Sequence, residues 1–257
     1  MANPEGSFIW YELLTKDLEA SLAFYGDVAG WDSVESGQTD RNYRILLANG
    51  TGVGGVMQLT EDMCANGARP VWLGYIGVDN VDAKAAAIAA DGGSILMQPQ
   101  DIPGVGRFAM FADRQGVVSY LMTGGVDGTS TAFAQALPGH CSWNELATSD
   151  PTDALAFYAR HFGWTKGDLM SMGPLGEYQF ITHHGTTIGA IMASPAEGPP
   201  PGWNYYFRVA DIDAATACAA KASAKMVHGP SEVPGGDYII NAVDPQGAMF
   251  SLVGHKR

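Results

Sequence analysis

Two glutamates, Glu12 and Glu145, stand in the same local pattern, Trp-x-Glu-Leu-x-Thr, at residues 10–15 and 143–148. Residues two apart on a strand point to one side, so Trp10, Glu12 and Leu14 share a face, as do Trp143, Glu145 and Ala147. A carboxylate set among aromatic rings loses hydration, which raises its pKa and suits it to general acid or base work. The same carboxylate could accept hydrogen bonds from Tyr, Asn or Arg and only fix the sheet, and both readings stay open here. The histidines offer no rival centre. His183 and His184 are neighbours, so they point to opposite faces of a strand or lie in the turn with Gly185, and both are expected in solvent. His140, His161, His228 and His255 are scattered, whereas zinc needs three or four convergent ligands. Cys64, Cys141 and Cys218 show no CxxC spacing, and an odd count fits neither a disulfide framework nor a zinc site, so they are expected as reduced thiols.

The two patterns belong to a longer repetition. Residues 10–31 (WYELLTKDLEASLAFYGDVAGW) align without a gap against 143–164 (WNELATSDPTDALAFYARHFGW). Further on, VDNVDA at 78–83 matches VADIDA at 209–214, and DRQG at 113–116 matches DPQG at 244–247. The unit of folding is therefore about half of the chain. The expected domains are 1–124 and 139–257, with 125–138, rich in Gly, Thr, Ser and Ala, as linker. A net charge of −13 without any cluster of Lys and Arg excludes nucleic acid as a partner. No apolar run is long enough for a bilayer, and the first residues lack a basic start and apolar stretch, so no membrane association and a cytoplasmic location are expected. The chain is expected to act as a monomer or homodimer with a small-molecule ligand.

Elements that would position the glutamates follow from local signals. Residues 8–15 suit a strand; Asp17 and Asp150 then stand where a helix N-cap would. Leu22, Phe24 and Tyr25, with Leu155, Phe157 and Tyr158, have the helical spacing that covers a sheet, and Gly30 and Gly163 end those helices. Trp31 and Trp164 are expected in the core. Strands are expected at 42–48 and 53–59, and at 177–183 and 186–193. Proline-containing breaks follow at 66–70 and 195–202. New strands at 72–78 and 203–209 lead into alanine-rich helices starting at Asp82 and Asp213. Each copy closes with a Pro-Gly turn, a strand, an Asp-x-Gln-Gly turn and a last strand.

This order of elements, with Asp-x-x-x-x-Leu-Ala-Phe-Tyr-x-x-x-x-Gly-Trp after the first strand and Val-x-x-Val/Ile-Asp-Ala after the middle one, resembles the vicinal oxygen chelate superfamily. Glyoxalases, bleomycin-resistance proteins and dioxygenases belong to that superfamily. The paired Trp-x-Glu-Leu-x-Thr openings and the ending at 233–250 are most similar to its tandem two-domain branch of glyoxalase-like antigens and hydroxylase-type proteins. The resemblance implies an α+β fold of two tandem domains, each a pair of βαβββ modules forming a curved mixed sheet around a cavity. It is specific for fold and weak for reaction, because one scaffold hosts many chemistries.

The resemblance also implies a divalent metal held by His and Glu, which polarises substrate oxygens. Carried over by residue, the ligand positions fall on Trp10, Leu73 and Tyr120 in the first copy and Trp143, Asn204 and Ser251 in the second. None is His, Glu or Asp, so no cofactor is assigned and the usual metal site is expected to be absent. If these positions mark the concave face, Glu12 and Glu145 point into the cavities as the candidate catalytic residues. Trp10, Tyr75 and Tyr120 line the first cavity; Trp143, Asn204, Tyr206, Arg208, Ser251 and Met192 line the second. Should modules pair across copies, the polar set at Asn204, Tyr206 and Arg208 would serve Glu12 instead. The leading expectation is a glyoxalase-like lyase or isomerase for a small carbonyl or oxygenated hydrophobic compound, with Glu145 transferring the proton. The alternatives are a bleomycin-resistance-like protein sequestering an aromatic or polyketide-like ligand, a metal-dependent glyoxalase or dioxygenase with other ligands, and a non-catalytic module for oligomer contacts.

Overall fold

Aspartates at the predicted places start the first helix of each copy. Asp17 accepts a hydrogen bond from the Ala20 N–H and Asp150 from that of Asp153, satisfying backbone donors that a first turn leaves open. Gly30 and Gly163 end the same helices with φ of 73° and 69°, a left-handed conformation that costs glycine least. A computed structural model describes residues 3–39, 41–125, 128–195 and 200–256. Positions 126 and 127 of the expected linker and 196–199 of the proline-rich break lie outside the described residues.

The described residues form four βαβββ modules. The first holds β1 (Phe8–Thr15), α1 (Leu18–Ala29), β2 (Asp32–Glu35), β3 (Tyr43–Ala48) and β4 (Thr51–Gln58), and a short α2 (Glu61–Ala65) follows it. The second holds β5 (Val71–Gly77), α3 (Val81–Ala90), β6 (Ser94–Ile102), β7 (Gly106–Ala112) and β8 (Val118–Gly124). The third holds β9 (Cys141–Thr148), α4 (Pro151–Phe162), β10 (Thr165–Ser171), β11 (Glu177–His183) and β12 (Thr186–Ala193). The fourth holds β13 (Gly202–Arg208), α5 (Ile212–Lys221), β14 (Lys225–Glu232), β15 (Tyr238–Val243) and β16 (Met249–Gly254). Two eight-stranded open sheets result, one per copy, in the orders β2-β3-β4-β1-β5-β8-β7-β6 and β10-β11-β12-β9-β13-β16-β15-β14. Both are mixed: β1 runs parallel to β4 and β5 to β8, while the hairpin-connected strands are antiparallel. No helix among the described residues is long and apolar enough to cross a membrane.

Helix packing brings modules of different copies together, α3 with α4 and α1 with α5. Two compact units follow: Met1–Ile9, Gly74–Ser130 and Asn144–Trp203 form one, and Trp10–Leu73, Thr131–Trp143 and Asn204–Arg257 the other. In the first unit, Tyr158 donates to Asp113 Oδ2 (3.1 Å) and accepts from Trp203 Nε1 (3.3 Å). In the second, Tyr25 donates to Asp244 Oδ2 (2.9 Å) and accepts from Trp72 Nε1 (3.0 Å). The remaining oxygen of each aspartate holds its own Asp-x-Gln-Gly turn, accepting from the Gln115 and Val117 N–H groups or from those of Gln246, Gly247 and Ala248. The tyrosine of each Leu-Ala-Phe-Tyr motif therefore grips the turn of the other copy. Burial pushes the Tyr25 hydroxyl well above the usual tyrosine range, assisted by the Asp244 charge, and burial raises the Asp113 carboxyl.

Trp31 and Trp164 are core residues that also use their indole N–H groups, on the Gly139 carbonyl (2.7 Å) and the Gly6 carbonyl (2.8 Å) respectively. One repeated position has lost its partner. Thr15 Oγ1 lies 2.7 Å from Ser21 Oγ on α1, but Ala154 replaces that serine in the second copy, and the buried Thr148 Oγ1 has no hydrogen-bond partner among the described residues.

Tyr25→Phe and Tyr158→Phe each strand a buried aspartate oxygen and an indole N–H. Each is expected to lower unfolding free energy by roughly 1.5–3 kcal/mol, the range for a hydrogen bond to a charged group, measured from urea midpoints. Ala154→Ser, which gives Thr148 the partner that Thr15 has, is expected to raise stability by about 1 kcal/mol in the same assay.

Candidate functional site

Both strand-borne glutamates are held by a tyrosine from the third strand of their own module. Glu12, only 3% exposed, takes the hydrogen bond of Tyr43, and the Tyr43 oxygen accepts in turn from Trp10 Nε1 (2.9 Å). Burial raises the Tyr43 hydroxyl well above the usual tyrosine range, and the Glu12 charge raises it further. In the third module Tyr178 donates to Glu145 Oε2 at 2.7 Å. Thr15 faces α1, so alternation along β1 turns Trp10 and Glu12 to the face away from the helix.

The two glutamates differ in burial, and the residue across the neighbouring strand differs with them. Glu12 lies opposite Gly55 across β1 and β4, and a Cβ there would sit 2.1 Å from the Tyr43 hydroxyl. Glycine thus lets the Tyr43 ring close over Glu12. Glu145 lies opposite Ala190 instead, whose methyl group occupies that space, and Glu145 remains half-buried. Met57 and Met192 pair with the two tyrosines, Tyr43 and Tyr178, across the neighbouring strands.

The second and fourth modules diverge more. In the second, Tyr75 and Tyr120 lie opposite one another and stack, with centroids 4.2 Å apart at 20°; Leu73 is buried on the same strand. In the fourth, Ser251 Oγ donates to Asn204 Oδ1 (2.7 Å) and accepts from Asn241 Nδ2 (2.6 Å), which also reaches Tyr206 Oη at 3.1 Å. Arg208 is engaged elsewhere: its guanidinium meets Asp237 Oδ2 at 2.6 Å and donates to the Gln135 carbonyl at 2.5 Å. That pairing holds the Asp237 carboxyl below the usual range.

His183 departs from its expected exposure. It is 6% exposed, with Nε2 2.9 Å from the Glu5 carbonyl, because the segment before β1 covers this end of β11. Burial lowers its pKa. His184, next in line, is exposed in the turn with φ of 47°. His140 and His161 are also buried, against the Thr131 carbonyl and Asp91, while His228 and His255 are exposed.

The positions where the resemblance implies metal ligands offer no fitting donor set. Indole, alkyl and phenol groups stand at Trp10, Trp143, Leu73 and Tyr120, and the Asn204 oxygen already takes the Ser251 hydroxyl. Divalent metals are held by imidazole, thiolate or carboxylate groups in numbers, and no group of three His, Cys, Asp or Glu among the described residues could hold one.

Strand alternation puts both glutamates on one face but does not name the tyrosines that hold them, Tyr43 and Tyr178. A signal existed: Tyr43, Gly50, Thr51, Gly54 and Met57 recur as Tyr178, Gly185, Thr186, Gly189 and Met192. That register is two residues longer than the one aligning the openings, so a gap-free comparison passes over it.

A sequence profile of the Glyoxalase/Bleomycin resistance protein/Dioxygenase superfamily matches residues 7–119 and 138–252. The chain is 30% identical to "Putative glyoxylase CFP32" of Mycobacterium tuberculosis, over 97% of this chain and 95% of the relative. It is 28% identical to the anthracycline biosynthesis protein DauV of Streptomyces sp. strain C5, over 96% of this chain and 93% of that one. Among solved structures it is similar to the Mn(II)-bound glyoxalase of Novosphingobium aromaticivorans, with a TM-score of 0.65 and 19% identity over 99% of this chain and 83% of that one.

The raised Tyr43 hydroxyl gives a signed pH effect. Its folded pKa exceeds the unfolded one, so its contribution is fully present below about pH 10 and is lost as pH rises through the folded value. Tyr43→Phe is expected to make the loss of stability above about pH 10 shallower, seen in denaturant midpoints across the alkaline range. An unchanged alkaline slope would show that Tyr43 ionises as an ordinary tyrosine.

Proposed function

The chain belongs to the Glyoxalase/Bleomycin resistance protein/Dioxygenase superfamily, and from that we propose that it is a small-molecule enzyme of lyase or isomerase type, acting on an oxygenated aromatic carbonyl compound through Glu145. The carrying observation is the repeated Glu–Tyr pair, whose glutamate is buried in the first module and half-buried in the third. A carboxylate within reach of a C–H bond next to a carbonyl can take that proton and return it to a neighbouring atom, which isomerises the substrate without net gain or loss of protons. Tyr178 would hold the carboxylate in place through its 2.7 Å hydrogen bond. It would also donate less to Glu145 when the carboxyl is protonated, which eases return of the proton. Trp143 and Met192 supply apolar surface on the adjoining strand positions, the ordinary lining of a small-molecule site. The likeness to an anthracycline biosynthesis protein supports a polycyclic aromatic ligand.

The same apolar lining would suit a protein that only sequesters such a ligand, and one experiment separates the two. Aromatic ketones incubated with the protein in D2O are expected to take up deuterium next to the carbonyl, followed by proton NMR. Glu145→Gln should slow that uptake by roughly 10²–10⁴-fold, the usual size of a general-base contribution, while ligand affinity changes little. A wild-type protein that binds these ketones yet exchanges no proton would be a binding protein, and the catalytic reading would fail.

A further inference from the structure

Of four matching positions on the sheet face away from the helices, three differ in chemistry between the second and fourth modules. The second carries Leu73, Tyr75, Met110 and Tyr120; the fourth carries Asn204, Tyr206, Asn241 and Ser251 at the matching places. Registers agree: Tyr120 lies opposite both Tyr75 and Met110, and Ser251 opposite both Tyr206 and Asn241. The second module shows that this fold is satisfied there by apolar packing and one stacked tyrosine pair. Polar groups cost free energy to desolvate and bring the sheet nothing that the apolar set does not. Their presence in one module only points to a ligand.

The donors and acceptors left open in the fourth module define what kind. Ser251 gives its proton to Asn204 Oδ1 and accepts from Asn241 Nδ2. The two protons of Asn241 Nδ2 are placed on Ser251 and on Tyr206 Oη. Two groups remain without a partner among the described residues: the Asn204 Nδ2 donor and the Asn241 Oδ1 acceptor, on half-buried side chains. The neighbouring Arg208 is neutralised by Asp237, so no unpaired positive charge awaits an anion. We propose that Asn204 and Asn241 form a subsite for a neutral carbonyl compound that carries an adjacent hydrogen-bond donor, a carboxamide or hydroxyketone. Ser251, bonded to both amides, is the positioning residue that turns the free donor and acceptor outward. The inference rests on the reading of the chain as a protein for aromatic small molecules.

Three probes of one shape test it by calorimetric titration of the full chain: 2-naphthamide, with donor and acceptor; 2-acetylnaphthalene, with an acceptor only; and 2-naphthoate, an anion. Wild-type protein is expected to bind the amide about tenfold more tightly than the ketone, the worth of one or two neutral hydrogen bonds, and the naphthoate most weakly. The double variant Asn204→Leu, Asn241→Met carries the residues that the second module has at these positions. It is expected to bind the ketone within about twofold of wild type and to lose the preference for the amide. Equal wild-type affinity for amide and ketone, or a preference that survives in the double variant, overturns this proposal and leaves the aromatic-ligand reading intact. Failure of wild type to bind any of the three overturns both. The wild-type comparison stands alone if the double variant does not fold.

Discussion

The tyrosine of the Leu-Ala-Phe-Tyr motif, buried and shared between an aspartate and an indole, is the interaction on which the rest depends. Tyr25 and Tyr158 each tie a helix of one copy to the Asp-x-Gln-Gly turn of the other, while the aspartate keeps the turn closed with its second oxygen. A buried carboxylate left without such a donor would be costly, so the turn and the helix specify one another. The strands that carry Glu12 and Glu145 precede those helices directly, and their positions are set by the same grip.

With that frame duplicated, the two copies could diverge on the opposite face at little cost to folding. The Glu–Tyr pair is kept in both, but with Gly55 against Ala190 across the strand the glutamate is buried in one and half-buried in the other. The stacked Tyr75 and Tyr120 fill the second module where the fourth carries a serine between two amides. Each pair of matching modules thus contains its own control: one member shows what the fold needs, and its counterpart shows what has been added.

Much of the fold was legible in the sequence because its signals are local. Asp17, Asp150, Gly30 and Gly163 act within one turn of the chain, and strand alternation around Glu12 and Glu145 needs no partner. The exposure expected for His183 was wrong because the residue covering it, Glu5, lies far away in sequence. Arg208 stood as a ligand-orienting candidate, but its charge meets Asp237, again a contact that spacing could not reveal. Tyr43 and Tyr178 carried a readable repeat, hidden by a two-residue change in register.

The sequence by itself determined the repeated modules, the caps and the strand faces, the one bearing the two glutamates included, since each follows from periodicity or from a side chain reaching its own backbone. Only the tertiary structure decided which group holds each glutamate, which tryptophans and histidines are spent on backbone carbonyls, and which copy each tyrosine serves. Those are contacts between segments brought together by burial, and their partners are chosen by packing across the whole core rather than by neighbours in the chain.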